Sequence, residues 1–146
     1  MIVKNIIDDK GCAVAKAKRE DTLVEAAQTM HDYNAGSLVV ISERGILVGL
    51  ISERDIVLAV AAMDRPQSEI QVKEIMATEV PTCTMEDAII DVMHTMTEKR
   101  VRHMPVMKGE RLVGVISIGD VVKLRLKETK LEAQVMRDYV QVLRTR

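Results

Sequence analysis

The sequence predicts an α+β fold made of two β-α-β-β-α repeats followed by an amphipathic C-terminal helix. Two observations indicate the repeats: residues 22–40 match residues 88–106 in their apolar positions, and residues 47–57 match residues 112–122. A third observation concerns composition. Of the 146 residues, 47% are hydrophobic, yet two are Tyr and none is Phe or Trp. The chain is therefore long enough for a compact domain whose core is aliphatic.

The duplication sets the predicted boundaries of the units. Short apolar segments at residues 3–7 and 72–76 also match, so each copy starts with an apolar lead-in. The predicted units are a first repeat over residues 1–64, a linker over 65–71, a second repeat over 72–126 and a helical extension over 127–146.

Each repeat is predicted to open with a strand and a helix. The opening strands are residues 14–16 and 80–83. In the first repeat an apolar face recurs at helical spacing after Asp21 or Thr22, either of which suits the N-cap. That face consists of Leu23, Ala26, Ala27 and Met30.

A β-branched hairpin follows each helix. Residues 37–41 and 46–51 form the first hairpin, and residues 104–107 and 112–116 form the second. Each hairpin leads into another helix, at Ser52 or Ser117. Because a three-stranded sheet with two helices is too small to be stable alone, we expect the two copies to pack together.

The segment from residue 122 onward carries apolar residues at helical spacing and charged residues on its other faces. Three placements are open for its apolar stripe: packing on its own domain, helix-to-helix contact between protomers, or a membrane surface. Glu128, Glu132 and Asp138 dilute the basic face and disfavour the membrane.

Charge and cysteine content exclude several classes of protein. A formal net charge of -1 and the near absence of aromatic residues argue against nucleic-acid binding. Cys12 and Cys83 lack the spacing of a zinc site or a disulfide framework, and free buried or half-buried thiols are expected. No signal peptide or membrane span is recognisable, so a reducing cytoplasm is the predicted compartment.

The strand-to-helix junctions carry the chemistry of both repeats. Each strand ends in Gly, two apolar residues and Ser, and an Asp follows after two intervening residues: Ser52 with Asp55, and Ser117 with Asp120. One interpretation is a capping box. The other is a ligand site, in which the helix N-terminus and Ser receive a phosphate and Asp binds a ribose diol. The two are partly compatible.

An enzyme interpretation finds no constellation of residues. Ser117 resembles a hydrolase nucleophile elbow, but Val115 stands where that motif needs Gly, and no His follows His103. The three His residues do not approach one another or a Cys at metal spacing, so no metal site is expected.

The two repeats differ in charge at the segment that leads into each hairpin. The basic segment at residues 99–103 of the second repeat replaces residues 33–37 of the first. Lys99 and Arg100 are expected in solvent. Arg102 and His103 face opposite sides of a strand, so one of them can reach an anion near Ser117. For Arg54, phosphate contact and a surface ion pair are both open.

The doubled pattern resembles the cystathionine-β-synthase (CBS) domain pair, also called a Bateman module. The resemblance rests on residues 49–55, 102–106 and 114–120 and extends over residues 1–126. It is closest to small stand-alone CBS-pair proteins, many of which carry a C-terminal helix.

The resemblance implies two units packed about a pseudo-twofold axis, with two clefts for AMP, ADP, ATP, NAD or S-adenosylmethionine. Asp would hold the ribose and Ser the phosphate, with Arg102 and His103 or Arg54 as basic partners. The residues implied for the second cleft are Thr82, Cys83, Arg102, His103, Met104, Pro105, Ser117 and Asp120. Those implied for the first cleft are Lys16, Ala17, Ser37, Leu38, Ser52, Arg54 and Asp55.

The first repeat departs from the family pattern. It has Gly36 and Ser37 where the second has Arg102 and His103, so we expect the second cleft to bind better. Without Phe or Trp, an adenine base is expected between aliphatic side chains. The resulting hypothesis is a non-enzymatic, homodimeric adenine-nucleotide sensor, which dimerises through the module helices and the C-terminal helix. The alternatives are a ligand-free interaction module that regulates a protein partner, and nucleic-acid binding through residues 99–103.

Overall fold

The computed structural model describes residues 1–145, and Arg146, the last residue of the predicted extension, lies outside the described residues. The first half of the chain forms α1 (Val3–Lys10), β1 (Lys16–Lys18), α2 (Leu23–Tyr33), β2 (Ser37–Ile41), β3 (Leu47–Ser52) and α3 (Glu53–Ala62). A short 3-10 turn over Gln67–Glu69 leads into the second half. That half forms α4 (Val72–Ile75), α5 (Ile89–Lys99), β4 (His103–Lys108), β5 (Arg111–Ser117) and α6 (Ile118–Arg144). The α+β class is as predicted, and so is the element order of the repeats apart from the opening strand of the second.

Three helices, α2, α3 and α6, begin at residues whose side chains satisfy free backbone donors. Thr22, one of the two predicted N-caps, accepts a hydrogen bond from the backbone N–H of Glu25. Ser52 and Ser117 cap α3 and α6 in the same way. These short-range signals explain why the helix starts were predictable from sequence.

The two sheets differ by one strand. In the first, β1 pairs in parallel with β2, which pairs with β3 in an antiparallel hairpin. In the second, β4 and β5 form the hairpin, but the predicted opening strand at residues 80–83 is wrong. Cys83 alone forms a parallel bridge, to Val106. Pro81 has no N–H to donate to a ladder, which limits pairing in this segment.

Each lead-in segment packs on the opposite repeat. In α1, Val3, Ile6 and Ile7 are buried in the core formed by α5, β4, β5 and the start of α6. Conversely, Ile70 and Val72 are buried in the core of the first repeat. The sequence identified these segments as repeated, but it did not reveal the exchange.

Reciprocal backbone hydrogen bonds fix this exchange. Val3 N–H donates to Asp87 O at 3.0 Å, and the equivalent Val72 N–H donates to Asp21 O at 2.8 Å. The two N-terminal segments of α2 and α5 donate back in the same pattern: Leu23 N–H to Ile70 O and Ile89 N–H to Met1 O. The two repeats therefore share their cores and form one pseudosymmetric unit.

The glycines of the two matching motifs lie where the exchanged segments cross the hairpins. A Cβ on Gly49 would lie 2.8 Å from the backbone oxygen of Ala77, and one on Gly114 would lie 2.9 Å from Ile7 Cδ1. Ala77 also forms an antiparallel bridge with Leu50. A side chain at residue 49 would therefore push the strand away from the backbone of the exchanged segment, whereas one at residue 114 would push against the Ile7 side chain.

The last helix of the second repeat and the predicted extension are one continuous helix, α6, of 27 residues. Its first turns contact the domain: Val121 is fully buried and Leu124 packs against the second core. Residues 129–145 are all exposed. Within residues 1–145, no helix is both long and apolar enough to cross a membrane.

We predict that Gly49→Ala destabilises the protein more than Gly114→Ala. The new methyl group at residue 49 meets a backbone oxygen that is held in a bridge, whereas at residue 114 it meets the end of the Ile7 side chain, which can rotate. For Gly49→Ala, we expect a loss of about 1–3 kcal/mol in the free energy of unfolding. Urea titration of both variants measures it. An equal or larger loss for Gly114→Ala would contradict this account of the crossing.

Candidate ligand-binding cleft between the repeats

Each repeat holds a Ser and an Asp in a hydrogen-bonded corner between strand and helix. At α6, the Ser117 N–H donates to Asp120 Oδ2 at 2.8 Å, and the Asp120 N–H donates to Ser117 Oγ at 3.1 Å. Ser52 and Asp55 form the same reciprocal pair at 2.8 and 3.2 Å. Both predicted capping boxes are present, and they hold each carboxylate at a helix N-terminus.

A cleft of about 360 Å³ lies between the repeats next to the α6 corner. Its volume is within the range of small-molecule sites. It is lined by Lys10, Ala13, Val14, Ala15, Tyr33, Asn34, Ala35, Gly36, Ser37, His103, Val115 and Ser117. The segment before β1 and the start of β2 thus face the hairpin and helix corner of the other repeat. The lining combines a mostly small, aliphatic wall with one basic residue and one imidazole.

Lys10, in the last turn of the exchanged helix α1, is the residue that connects this cleft to Asp120. Its Nζ donates to Asp120 Oδ2 at 2.8 Å and to the Val115 carbonyl oxygen at 3.1 Å. Both hydrogen bonds to the Asp120 side chain use Oδ2, which leaves Oδ1 free of partners among residues 1–145.

The electrostatics of Asp120 keep it ionised. Partial burial alone would raise the pKa of Asp120, but the hydrogen bond from Lys10, the Ser117 N–H and the positive charge of Lys10 lower it below its usual value. A carboxylate with one free oxygen at the edge of a cleft can accept hydrogen bonds from hydroxyl groups.

His103 lies in the cleft with its ring against Gly36 of the other repeat. A Cβ on Gly36 would lie 2.7 Å from Glu53 Oε1 and 3.2 Å from His103 Nε2, so a side chain at residue 36 would displace the Glu53 carboxylate and crowd the ring. Burial lowers the pKa of His103 below 6.5, Glu53 opposes that shift and Lys10 adds to it. The imidazole is therefore mainly neutral at pH 7.

The two repeats are not equivalent at this site. Ser37 pairs with Ser52 in the first hairpin at the register position where His103 pairs with Ser117 in the second. No Lys reaches Asp55, whose hydrogen bonds within residues 1–145 are those of its capping box. The position in the second lead-in that corresponds to Lys10 is Glu79, which is exposed. The second repeat's corner therefore has the more basic surroundings.

The predicted site residues divide into three groups. Ser37, His103 and Ser117 line the cleft together, and Asp120 joins it through Lys10. The sequence-based grouping by repeat therefore differs from the structure, where Ser37 lies opposite the residues of the second set. Exposed residues of the predicted sets that do not line this cleft are Lys16, Arg54, Thr82 and Arg102. Ser52 and Asp55 lie at the other corner.

A third group has side chains in the cores. It consists of Ala17, Leu38, Cys83, Met104 and Pro105. Only their backbone can border a ligand. Burial also raises the pKa of the Cys83 thiol to about 12, so the thiol is an unreactive part of the core. Within residues 1–145 no group of three or more His, Cys, Asp and Glu residues is placed to hold a metal ion.

Sequence reasoning missed two parts of the cleft. Lys10 and the segment Ala13–Ala15 reach it because α1 is exchanged, and no local pattern signals an exchange. Tyr33 is the second omission: it lines the cleft and is 70% exposed. The expected wholly aliphatic lining therefore includes one aromatic ring at its rim.

Comparison with known proteins places the chain in a family. The model of the CBS domain matches the chain twice, over residues 6–62 and 72–127. The chain belongs to the CBS-domain family. A crystal structure of the CBS-domain protein ATU1752 from Agrobacterium tumefaciens is 38% identical, with a TM-score of 0.82, and the match covers 86% of this chain and 99% of that one.

Two further relatives bear on the cleft and on chain length. The mitochondrial CBS domain-containing protein CBSX3 of Arabidopsis thaliana is 36% identical over 126 residues, which cover 84% of this chain and 61% of that protein. The CBS domain pair of protein MJ0100, solved in complex with 5-methylthioadenosine and S-adenosyl-L-methionine, is 27% identical with a TM-score of 0.74. Its match covers 85% of this chain and 98% of that one.

We predict that His103 makes the protein less stable in mild acid. Its pKa is lower in the folded than in the unfolded chain, so the unfolded chain binds the proton more readily between those two values. Its contribution to the free energy of unfolding is therefore fully present above about pH 6.5 and is lost as the pH falls through the folded pKa.

Urea unfolding of the wild type and of His103→Gln between about pH 5 and pH 8 checks this. Below about pH 6.5, the free energy of unfolding of His103→Gln is expected to fall less than that of the wild type. That of the control His94→Gln, on the exposed side of α5, is expected to fall as much as that of the wild type. Identical slopes for the wild type and His103→Gln would show that His103 is not the buried titrating group.

Proposed function

We propose that this protein is a regulatory module that binds an adenosine nucleotide of the AMP, ADP, ATP or NAD type in the cleft between its repeats. The observation that carries the proposal is the corner of Ser117 and Asp120: Ser117 lines the cleft together with Lys10 and His103, and Asp120 is joined to the cleft by its hydrogen bond from Lys10. An ionised carboxylate suits a ribose diol, while a helix N-terminus, an ammonium group and an imidazole suit a phosphate.

The remaining wall of the cleft suits a purine base. Ala13, Val14, Ala15 and Val115 are small or aliphatic, and the free backbone groups of an irregular segment can recognise the base edge. Tyr33 at the rim can cover an outer face of the base. The complex of the MJ0100 domain pair with two adenosine derivatives supports this ligand class.

Binding would compete with the Lys10–Asp120 ion pair. A ribose diol that donates to both oxygens of Asp120 takes the place of Lys10 at Oδ2, and the ammonium group then turns to the phosphate. Because Lys10 is in the last turn of α1, the change is transmitted to the helix that packs in the core of the second repeat and leads into the first repeat. A ligand can signal only if it binds two packings with different affinity, and the position of α1 supplies that difference.

The proposed module is not an enzyme and acts as a homodimer in the cytoplasm. Exposed apolar residues on the module helices, Val24, Val57, Val60 and Ile90, offer a surface for the second copy. These same residues favour the second candidate function, a ligand-free interaction module that regulates a protein partner. A thermal-unfolding screen separates the two, because a ligand at 100 times its dissociation constant adds about 2.7 kcal/mol of stability. No shift with any adenosine compound would favour the interaction module.

We predict that Asp120→Asn weakens AMP binding by about 10- to 100-fold, which is the loss expected for hydrogen bonds to a charged group. Asn keeps an oxygen that can accept from the Ser117 N–H, so the capping box remains. The matched control is Asp55→Asn at the other corner, which is expected to bind AMP within about twofold of the wild type. Isothermal titration calorimetry measures both. Weakened binding in Asp55→Asn alone would overturn the ranking of the two corners.

We also predict that Lys10→Met affects charged and uncharged ligands differently. For AMP, the loss of the phosphate partner should weaken binding by about tenfold. For adenosine, which has no phosphate, binding should stay equal or become tighter because Asp120 no longer has a competing cation. Calorimetric titrations of the variant with AMP and adenosine give the ratio. An equal loss for both ligands would mean that Lys10 acts only on the structure of the cleft.

A further inference from the structure

The exposed face of α6 carries an uninterrupted heptad pattern. Alternating steps of four and three residues join seven positions, six of them apolar or small: Val122, Leu126, Thr129, Ala133, Met136, Val140 and Leu143. We call this row the α6 seam. Its large apolar members are 42–63% exposed. Such a row on a continuous helix matches the a and d positions of a two-stranded coiled coil.

The seam is distinct from the face by which α6 packs on its own domain. Val121 and Leu124 make the contact with the second core, and Glu128 accepts from the N-terminal ammonium group of Met1. At 100° per residue, these three positions lie on a different side of the helix from the seam. The seam starts over the domain at Val122 and continues along residues 129–143, where α6 projects by about 20 Å.

We propose that the α6 seam pairs with the same seam of a second copy in a parallel coiled coil. The charges beside the seam select both the partner and the direction. The flanking e positions are all basic: Lys123, Lys130, Arg137 and Arg144. An antiparallel pair would bring these rows together and set like charges against each other.

In a parallel pair, each e position instead faces the preceding g position of the partner. Glu132 of one copy then meets Arg137 of the other, and Tyr139 meets Arg144, as an ion pair and a cation–π contact. Arg125 would face Lys130, but Arg125 is already paired with Glu128 of its own helix at 3.1 Å. Charge complementarity in the projecting part therefore favours a second copy in the same direction, with both modules at one end.

This inference concerns assembly and does not depend on nucleotide binding. None of the seam residues lines the cleft. The module helices also expose apolar residues to a second copy. The α6 seam adds a further contact, and this contact fixes how the two modules are oriented. A coiled coil of about three heptads is short, so the modules and the helices would stabilise the pair jointly.

Cysteine crosslinking of the full chain tests the direction. In a Cys12→Ser background, which removes the exposed thiol, Leu143→Cys places a thiol on the seam and Val142→Cys places one beside it. With diamide as the oxidant, we expect Leu143→Cys to form covalent dimers at least about tenfold faster than Val142→Cys, because a parallel pair sets residue 143 against itself. Equal rates would overturn the proposal.

Two further measurements complete the test. Glu132→Lys and Arg137→Glu should each slow the crosslinking of Leu143→Cys, and the double charge reversal should restore it. Mixing Leu143→Cys chains with Leu126→Cys chains tests the antiparallel alternative, in which these two positions would oppose each other. Preferential 126–143 heterodimers, or no rescue by the double reversal, would overturn the parallel pair. Adding AMP distinguishes this result from the sensor function, since the crosslinking pattern is expected with and without it.

Discussion

The exchange of the two lead-in segments is the constraint on which the rest of the structure depends. Val3, Ile6 and Ile7 fill the core of the second repeat, and Ile70 and Val72 fill that of the first. Burial of a large aliphatic side chain contributes about 1.5–3 kcal/mol each, a large share of the stability of a small domain. Neither repeat closes its core alone, so the relative position of the repeats is fixed by the same contacts that fold them.

That constraint also positions the cleft. Because α1 crosses to the second repeat, Lys10 arrives beside Asp120 and the chain after α1 returns along the cleft to β1. The capping box fixes the Asp120 carboxylate at the start of α6. The site thus pairs a carboxylate held by backbone hydrogen bonds with the ammonium group of Lys10, which lies on a helix buried in the second core. The second lead-in has Glu79 in place of Lys10, so duplication has left the two corners with different charge.

Local signals made much of this fold predictable. Thr22, Ser52 and Ser117 identify helix starts because each side chain satisfies a backbone donor three residues ahead. The hairpins followed from β-branched runs around short turns. The structure of residues 80–83 was harder to predict. An alternation of apolar and polar residues favours a strand there, but it takes no account of the backbone N–H that Pro81 lacks.

The candidate site was predictable only in part. Ser117, Asp120 and His103 were identified as candidates because they belong to short sequence motifs with recognisable residue types and spacing. Lys10 and the close approach of Gly36 to His103 depend on which repeat each segment packs against, and that is a property of the whole chain. The assignment of residues to clefts by repeat stays a prediction, and the structure places Ser37 opposite the second repeat's corner.

The reciprocal bonds of Val3 with Asp87 and of Val72 with Asp21 make this chain the covalent counterpart of a domain-swapped dimer. A single copy of the repeat could bury its core only by borrowing the lead-in of another copy. Joining two copies in one chain turns that borrowing into an intramolecular step, which no longer depends on protein concentration. It also lets the two swapped segments differ in sequence, so that one places Lys10 beside Asp120 while the other has Glu79 at the matching position.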